Sequence, residues 1–417
     1  MKRNVKILFC CLFAIAISLC GCGLFSTRPG YTENTEIPTT VDVVQNIGEE
    51  DYLRADRAKE NNIWGTAGSL GQYPATGRNG FYLPGGTIKY YDIENCAKVT
   101  CCSIAGCSHV GTICPANQYG LLSFLECGEY WCVLTKVDGK HIQLSRIEPS
   151  TGERKELYTW EAEEDAWLTL NNCVYAYDCI YVTITASQEK SSSVMIDCYD
   201  VEAEQLVNLT ESSETSEYAF VGASENYAVV LCSELTEELL SYESYVQQYA
   251  NATENEYWDY VSDFYQNYSV VELRAIDIHT GMIQVIAGNQ EQPYLFTDPN
   301  SCYDNLMVYG TGDQLVLCDM DTLSTTVLIK DDGLINAFLF DNKVFYITKD
   351  DGGSSFNCMD LASGEVAELE RYETGGISFS ISIEAEDAFI GIYQGKHCWI
   401  YKNDFYAGRF DLAVKYE

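Results

Sequence analysis

The chain is poor in positive charge. Against 62 aspartates and glutamates it has 25 lysines and arginines and 4 histidines, so its formal net charge is −37 at pH 7. A surface of this sign repels nucleic acid phosphates and anionic membranes, and DNA and RNA are therefore disfavoured as partners. Solubility outside the cell explains the acidity better than a specific cationic ligand does.

The sequence also lacks the common catalytic motifs. It contains no Gly-x-Ser-x-Gly nucleophile turn, no glycine-rich phosphate loop and no His-Glu-x-x-His zinc motif. Paired carboxylates for glycoside hydrolysis can always be found among 62 acids, so their presence decides nothing. The sequence names no reaction, and the expectation is a protein that is not an enzyme, with that question left open.

A long apolar run is absent too. The one apolar stretch, Ile7 to Leu19, is too short to span a membrane, and a basic N-terminus precedes it. It ends in Leu19-Cys20-Gly21-Cys22, which resembles the lipobox of bacterial lipoproteins. The resemblance implies a signal peptide at 1–21, acylation of Cys22, a polar tether at 22–60 and a place at the extracytoplasmic face of the membrane, held by lipid. The alternative is an ordinary secretory signal with incidental cysteines.

What the chain does have is a repeat. The stretches 313–329, 354–369 and 395–410 each show an alternating strand, a turn and a second strand, with Cys318, Cys358 and Cys398 at the same point, 40 residues apart. A period near 40 with only β-patterned content is typical of propeller blades. The sequence therefore predicts an all-β fold, a β-propeller over 61–417.

The number of blades follows from an acidic residue that opens the turn between the last two strands of each unit. A carboxylate there can accept hydrogen bonds from the backbone two residues on. The seven turn positions are Asp92, Glu148, Asp200, Asp277, Asp319, Asp360 and, in the last unit, Asn403. We predict seven blades, closed by the C-terminal segment near the N-terminal strands. Eight blades, with 51–79 contributing to another, and a pair of packed β-sandwiches are the alternatives.

The segment 233–269 interrupts the β pattern. Aromatic residues recur there at spacings of three and four, which predicts two helices joined near 250–253 and projecting from the fourth unit. The candidate partner-binding residues are Tyr242, Tyr245, Tyr249, Tyr257 and Trp258. Packing of these rings against one another and the domain is the favoured alternative.

One group of residues has metal-ligand spacing. Within a loop at 96–117, Cys102, Cys107, His109 and Cys114 form a Cys-x4-Cys-x-His-x4-Cys pattern. Three thiols and an imidazole could close a tetrahedral Zn²⁺ site. Disulfide pairing and reduced thiols are the alternatives. Fifteen cysteines follow Cys22 and many lie in apolar strand patterns, which fits an organism living without oxygen.

The run from Ile88 to Ala116 resembles a segment of the exported, lipid-anchored β-propeller proteins of anaerobic gut Gram-positive bacteria. In that family a strand ending in a Tyr-Asp turn leads into the same Cys-x4-Cys-x-His-x4-Cys segment, and the three cysteines and the histidine match it one by one. The residues between the first cysteines differ from the family's usual ones. The resemblance implies a propeller fold and an exported location, and it implies no activity.

The leading hypothesis is a non-catalytic binding or scaffold module at the cell surface, with a protein or glycan partner. Two others remain. One is an enzyme acting on envelope carbohydrate with acids from several blades, and the other is a metal or redox sensor built on the cysteine and histidine loop.

Overall fold

The computed structural model describes residues 75–416, with gaps at 78–79, 84, 86, 111–113, 164, 189–191, 212–215, 238, 250–252, 289–294, 298–300, 351 and 374–376. The predicted signal peptide (1–21), the tether (22–60) with Cys22, and the predicted start of the propeller at 61–74 lie outside the described residues. Within these residues, no helix is both long and apolar enough to cross a membrane.

The fold is a seven-bladed β-propeller with a small helical insertion. Each blade is a sheet of four consecutive antiparallel strands, except that the first strand of the fifth blade is split into β17 and β18. The strands of blades 1 to 4 are β1 (Ala75–Gly77), β2 (Gly80–Leu83), β3 (Lys89–Asp92), β4 (Ala97–Thr100), β5 (Leu121–Cys127), β6 (Tyr130–Lys136), β7 (His141–Ile147), β8 (Arg154–Glu161), β9 (Trp167–Ala176), β10 (Cys179–Ser187), β11 (Ser192–Asp200), β12 (Gln205–Glu211), β13 (Ser216–Ala223), β14 (Tyr227–Leu235), β15 (Ser269–Asp277) and β16 (Ile283–Gly288). Those of blades 5 to 7 are β17 (Leu295–Phe296), β18 (Cys302–Tyr303), β19 (Leu306–Thr311), β20 (Gln314–Asp319), β21 (Ser324–Lys330), β22 (Leu334–Phe340), β23 (Lys343–Asp350), β24 (Gly353–Asp360), β25 (Val366–Tyr372), β26 (Phe379–Glu384), β27 (Ala388–Tyr393), β28 (Lys396–Tyr401) and β29 (Val414–Lys415).

The first strand of each blade lies innermost, and the blades close into a ring. The first strand of blade 1, β1, contacts both β5 of the second blade and β26 of the last. Because β1 belongs to the same sheet as β2 to β4, the described part of the segment 51–79, residues 75–77, does not begin an eighth blade. The seven-bladed prediction is confirmed.

The hydrophobic core lies between the blades. Alternate residues of a strand face opposite sides of its sheet, so each blade presents one apolar face to each neighbour. Between blades 1 and 2, for example, Tyr82 and Ile88 pack with Phe124 and Trp131. Each large side chain buried in this way contributes about 1.5–3 kcal/mol.

Six of the seven turn positions behave as the repeat predicts. In blades 3, 4, 5 and 6 the aspartate at the end of the third strand accepts two backbone N–H bonds from the turn, as Asp360 does from Ala362 (3.0 Å) and Ser363 (2.9 Å). Asp92 and Glu148 each accept a backbone N–H as well. The seventh position was predicted wrongly, because Asn403 lies inside the helix α3 (Lys402–Tyr406) and opens no turn.

That helix replaces the turn because its aromatic face belongs to the core. Phe405 is fully buried, and its ring contacts a set of phenylalanines from blades 6 and 7 and from the 3₁₀ turn at Phe410–Leu412. The set is Phe345, Phe356, Phe379, Phe389 and Phe410. After it, β29 pairs with β28, and Tyr416 packs on Phe81 and Tyr91 of blade 1.

The predicted insertion is helical and lies in blade 4, between the second and third strands. Its helices are α1 (Tyr242–Gln248) and α2 (Glu254–Tyr268). The strands run further into the predicted segment than expected, since β14 and β15 pair as far as Leu235 and Ser269. We call residues 236–268 the blade-4 arm.

Candidate functional site

The four predicted ligand residues come together. One donor atom from each of Cys102, Cys107, His109 and Cys114 lies within 4.8 Å of all the others, and the Cys114 Sγ is 3.6 Å from Nδ1 of His109. A tetrahedral zinc site with Zn–S bonds of about 2.3 Å places its sulfur atoms about 3.8 Å apart. Small shifts of the side chains therefore suffice to close a four-coordinate site around one ion.

Local backbone geometry explains how four side chains from a thirteen-residue segment can meet at one point. Gly106 has a φ of +71°, a left-handed conformation that glycine adopts without strain, and it turns the chain back after Cys102. His109 is itself left-handed, with a φ of +57°. That conformation allows its backbone N–H to donate to the Cys107 Sγ at 3.4 Å. Backbone donors to sulfur are partners that orient thiolate ligands.

The loop is held by both neighbouring blades. On the blade 1 side, the Cys101 N–H donates to the Ile88 carbonyl (3.1 Å), and the Ile88 N–H donates to the Ala116 carbonyl (2.8 Å). On the blade 2 side, Ser103 Oγ lies 3.1 Å from the carbonyl oxygen of Pro149 and 2.7 Å from that of Ser150. The ligands thus lie between anchors on two blades.

The thiols of the cluster differ in their acidity. The hydrogen bond from the His109 backbone, with the neighbouring sulfurs of Cys114 and Cys102, lowers the pKa of Cys107. Burial raises the pKa of Cys114 to about 11. Cys107 therefore supplies a thiolate more readily than Cys114 does, and a thiolate is the form that binds metal.

No disulfide joins the fifteen cysteines that the structure describes. Ten of them, from Cys127 onward, are buried in the strands, where they act as small apolar side chains. Next to the cluster, Cys101 packs into the core between blades 1 and 2, and burial raises its pKa to about 12. Cys96 is exposed. Neither belongs to the group of four.

The candidate partner-binding residues lie in the blade-4 arm, where their rings pack on one another. Tyr245 stacks on Tyr260 with 4.8 Å between ring centroids, and Tyr257 lies 5.2 Å from Tyr242 and 5.4 Å from Trp258. Tyr257 is buried, and its hydroxyl donates to the Leu240 carbonyl at 3.1 Å. Tyr257 is therefore a packing residue, as the alternative predicts. Tyr245 packs on one face and remains partly exposed.

Other tyrosines of the arm remain open to solvent. Tyr242 is 37% exposed, Tyr249 48% and Tyr268 38%. None of the arm's buried residues contributes to the five hydrophobic clusters between the blades. The arm therefore has an aromatic core of its own and presents part of it outward.

One buried cluster was not anticipated from the sequence. Lys402, at the start of α3, places its Nζ 2.9 Å from Asp341 and in direct contact with Glu384, and the Tyr406 hydroxyl donates to Asp341. Burial raises the pKa of Glu384 to about 7. Burial would also raise that of Asp341, but the Lys402 ammonium holds it below the usual value. These residues come from blades 6 and 7 and meet only when the blades pack.

No protein-family model and no curated protein matches the sequence. Solved structures do resemble the fold. An oligogalacturonate lyase from Vibrio parahaemolyticus is 13% identical, with 78% of this chain and 83% of that one covered and a TM-score of 0.43. A puromycin hydrolase S511A mutant is 10% identical, with 87% and 55% covered and a TM-score of 0.46. TolB from Acinetobacter baumannii is 11% identical, with 78% and 74% covered and a TM-score of 0.33. These neighbours are β-propeller proteins, and similarity at this level does not extend to activity.

Proposed function

We propose that this chain is an exported, lipid-anchored β-propeller that binds a protein or glycan partner at the extracytoplasmic face of the membrane and catalyses no reaction. The observation that carries the proposal is the blade-4 arm. The lipid anchor is inferred from the sequence around Cys22. We also propose that the Cys/His cluster binds a metal ion.

The propeller does not need the arm for its own folding. The strands β14 and β15 pair in unbroken register up to Leu235 and Ser269, so a short turn would complete blade 4. The equivalent connection in blade 7 is the pair Gln394-Gly395. An ordered insertion costs conformational entropy, which the arm offsets through its own aromatic core. Such an element is more easily explained by a partner than by the stability of the ring.

The surface of the arm suits recognition. Tyrosine combines a large apolar ring with a polar tip and is enriched at the energetic centre of protein interfaces. Aromatic faces exposed to solvent also stack on sugar rings. Tyr242 and Tyr249 offer such faces at the two ends of α1, which also carries the exposed Glu243. The partner surface we propose consists of these two tyrosines and the part-exposed Tyr245 and Trp258.

A deletion tests the proposal. Residues 236–268 would be replaced by Asn-Gly, and circular dichroism would confirm that the propeller still folds. We expect the intact chain to bind purified peptidoglycan, mucin glycans or an isolated surface protein, and the arm-deleted chain to bind the same probe about tenfold more weakly or worse. Equal binding by both chains would contradict the proposal, as would turnover of any of these glycans by the intact chain.

The lipid anchor is tested separately. Replacing Cys22 with serine removes the thiol that would be acylated and should move the chain from the membrane fraction to the soluble fraction. Replacing Cys20 in the same way is the control, and that variant should stay in the membrane. A Cys22→Ser chain that remains membrane-bound would contradict the anchor.

The metal that best fits the cluster is Zn²⁺. Three thiolates and an imidazole are soft and borderline ligands that suit zinc, whereas magnesium, calcium and manganese prefer oxygen. Four protein ligands close the coordination sphere, which is typical of a structural site. Cys102 comes from the first half of the loop and Cys107 and Cys114 from the second, so the ion would join the two halves.

Elemental analysis of the full chain, purified without oxygen, tests the metal. We expect about one zinc per chain. A Cys102→Ser variant should lose it, and a Cys96→Ser variant, which alters an exposed cysteine outside the cluster, should keep it. Iron in place of zinc, or a chain without metal, would contradict the assignment.

A further inference from the structure

Among the described residues, blade 1 has the fewest in strands of the seven blades. Its four strands have 3, 4, 4 and 4 residues, whereas those of blade 2 have 7, 7, 7 and 8. A blade with short strands has fewer ladder hydrogen bonds and smaller apolar faces for its neighbours. The sheets of blades 1 and 2 therefore hold each other less strongly than those of the longer blades do, and contacts from outside the sheets contribute more to this joint.

The Cys/His loop supplies such contacts on both sides of this joint. Ile88, just before β3, is held between the two ends of the loop, since it accepts from Cys101 and donates to Ala116. Thr87 also forms a β-bridge with Asn117. The loop is therefore tied to the backbone of blade 1 at its entry and at its exit.

Blade 2 is contacted by Ser103 of the loop and by Gln118, which directly follows the loop. Ser103 Oγ reaches the carbonyls of Pro149 and Ser150 in the turn between β7 and β8. Gln118 donates to the Pro115 carbonyl at 2.6 Å and accepts a hydrogen bond from Arg154 of β8. Each of these contacts lies within four residues of a proposed ligand.

We propose that zinc bound by Cys102, Cys107, His109 and Cys114 fastens blade 1 to blade 2. The inference rests on the zinc site proposed above. Bonds from one ion to Cys102 and Cys114 fix these two residues relative to each other. Their neighbours Ser103 and Ala116 are thereby fixed as well, so the anchor on blade 2 is tied rigidly to the anchor on blade 1. Without the ion, the loop loses this cross-link, and the two anchors move independently.

Hydrogen–deuterium exchange of the full chain, with zinc and after chelation, tests whether zinc holds blade 1 to blade 2. Removal of zinc should speed amide exchange about tenfold or more in β2, in β3 and in the turn at 148–153. Exchange in blades 5 and 6 should stay unchanged, because these blades lie across the ring from the joint between blades 1 and 2. Equal acceleration in all seven blades would show that zinc stabilises the whole fold and would overturn the inference.

A Ser103→Ala variant separates zinc binding from fastening. It keeps all four ligands and removes the side-chain contact to the blade 2 turn. We expect an unchanged zinc content, with exchange in the 148–153 turn and in blade 1 about fivefold faster. If zinc is bound but neither its removal nor Ser103→Ala alters exchange in blade 1, the fastener is wrong and the zinc site stands. If the purified chain binds no zinc, both proposals fail.

Discussion

Lys402 is the single cation of a buried cluster, and replacing it with methionine should be one of the most destabilising changes in the described part of the chain. Methionine keeps most of the length and apolar stem of the side chain but removes the ammonium that contacts Asp341 and Glu384. The two carboxyl groups then share a dry site in which the Tyr406 hydroxyl still donates to Asp341. Removing one partner from a buried ion pair costs about 3–5 kcal/mol, because the other charge is left uncompensated.

The cost of Lys402→Met can be compared with the cost of breaking a similar but more exposed ion pair. The side chains of Lys402 and Glu384 are 9% and 8% exposed, whereas those of Lys343 and Asp360 in blade 6 are 16% and 18% exposed. Lys343 has one carboxylate partner and Lys402 has two. We therefore expect Lys343→Met to cost about 1–2 kcal/mol, well below the cost of Lys402→Met.

Thermal unfolding provides the assay. A fold of this size unfolds with an entropy of about 0.7 kcal/mol/K, so 3–5 kcal/mol corresponds to a Tm lower by about 4–7 °C. Burial already raises the pKa of Glu384 to about 7, so at a pH above 7 replacing it with glutamine in the Lys402→Met background removes an acidic group left without its ammonium and should restore a large part of the loss. Equal Tm values for Lys402→Met and Lys343→Met, or no recovery in the double variant, would refute the reasoning.

Three further results are expected. Because burial raises the pKa of Glu384 to about 7, the folded chain retains a proton that the unfolded chain releases near pH 4.5. The stability contributed by this group is present below about pH 4.5 and is lost as the pH rises through 7, and urea titrations should show that Glu384→Gln removes this component, worth about 3 kcal/mol. Phe405→Ala should cost about 3–5 kcal/mol in the same titration, since the ring is fully buried among five others, and a cost below 1 kcal/mol would contradict the packing. Thr253→Ala removes the N-cap of α2, where Thr253 and Glu256 bond reciprocally, so amide exchange in α2 should rise about fivefold while the Tm of the ring stays the same.

The sequence predicts the features of this molecule that depend on neighbouring residues. The blade count follows from a carboxylate that recurs at or just after the end of the third strand in six of the seven blades, because a residue such as Asp360 bonds to a backbone two or three positions away. The Cys/His cluster is predictable for the same reason. Its four ligands lie within thirteen residues, and one left-handed glycine brings them together.

Features that depend on the packing of distant residues cannot be predicted from local sequence patterns. Lys402 and Asp341 are 61 residues apart and Lys402 and Glu384 are 18 apart, so no local pattern links them before blades 6 and 7 meet. The turn predicted at Asn403 is wrong for a related reason. The turn preference of asparagine is weak beside the burial of Phe405, and the tertiary contact decides the local structure.

The ring has to close where the chain begins and ends, and its unusual contacts are concentrated there. Blade 1 consists of β1 to β4 and blade 7 of β26 to β29, so in the described residues no strand is exchanged between them. The joint between blades 7 and 1 depends on side chains, chiefly Tyr416 against Phe81 and Tyr91. On one side of it lies the buried Lys402 cluster, at the joint of blades 6 and 7, and on the other the Cys/His loop, at the joint of blades 1 and 2. In the described residues the first and last blades are joined by packing and share no strand, and a propeller joined in this way is weakest along this arc. Loosening any one of these three joints should therefore open the ring at blade 1 while the longer blades 2 to 6 stay folded.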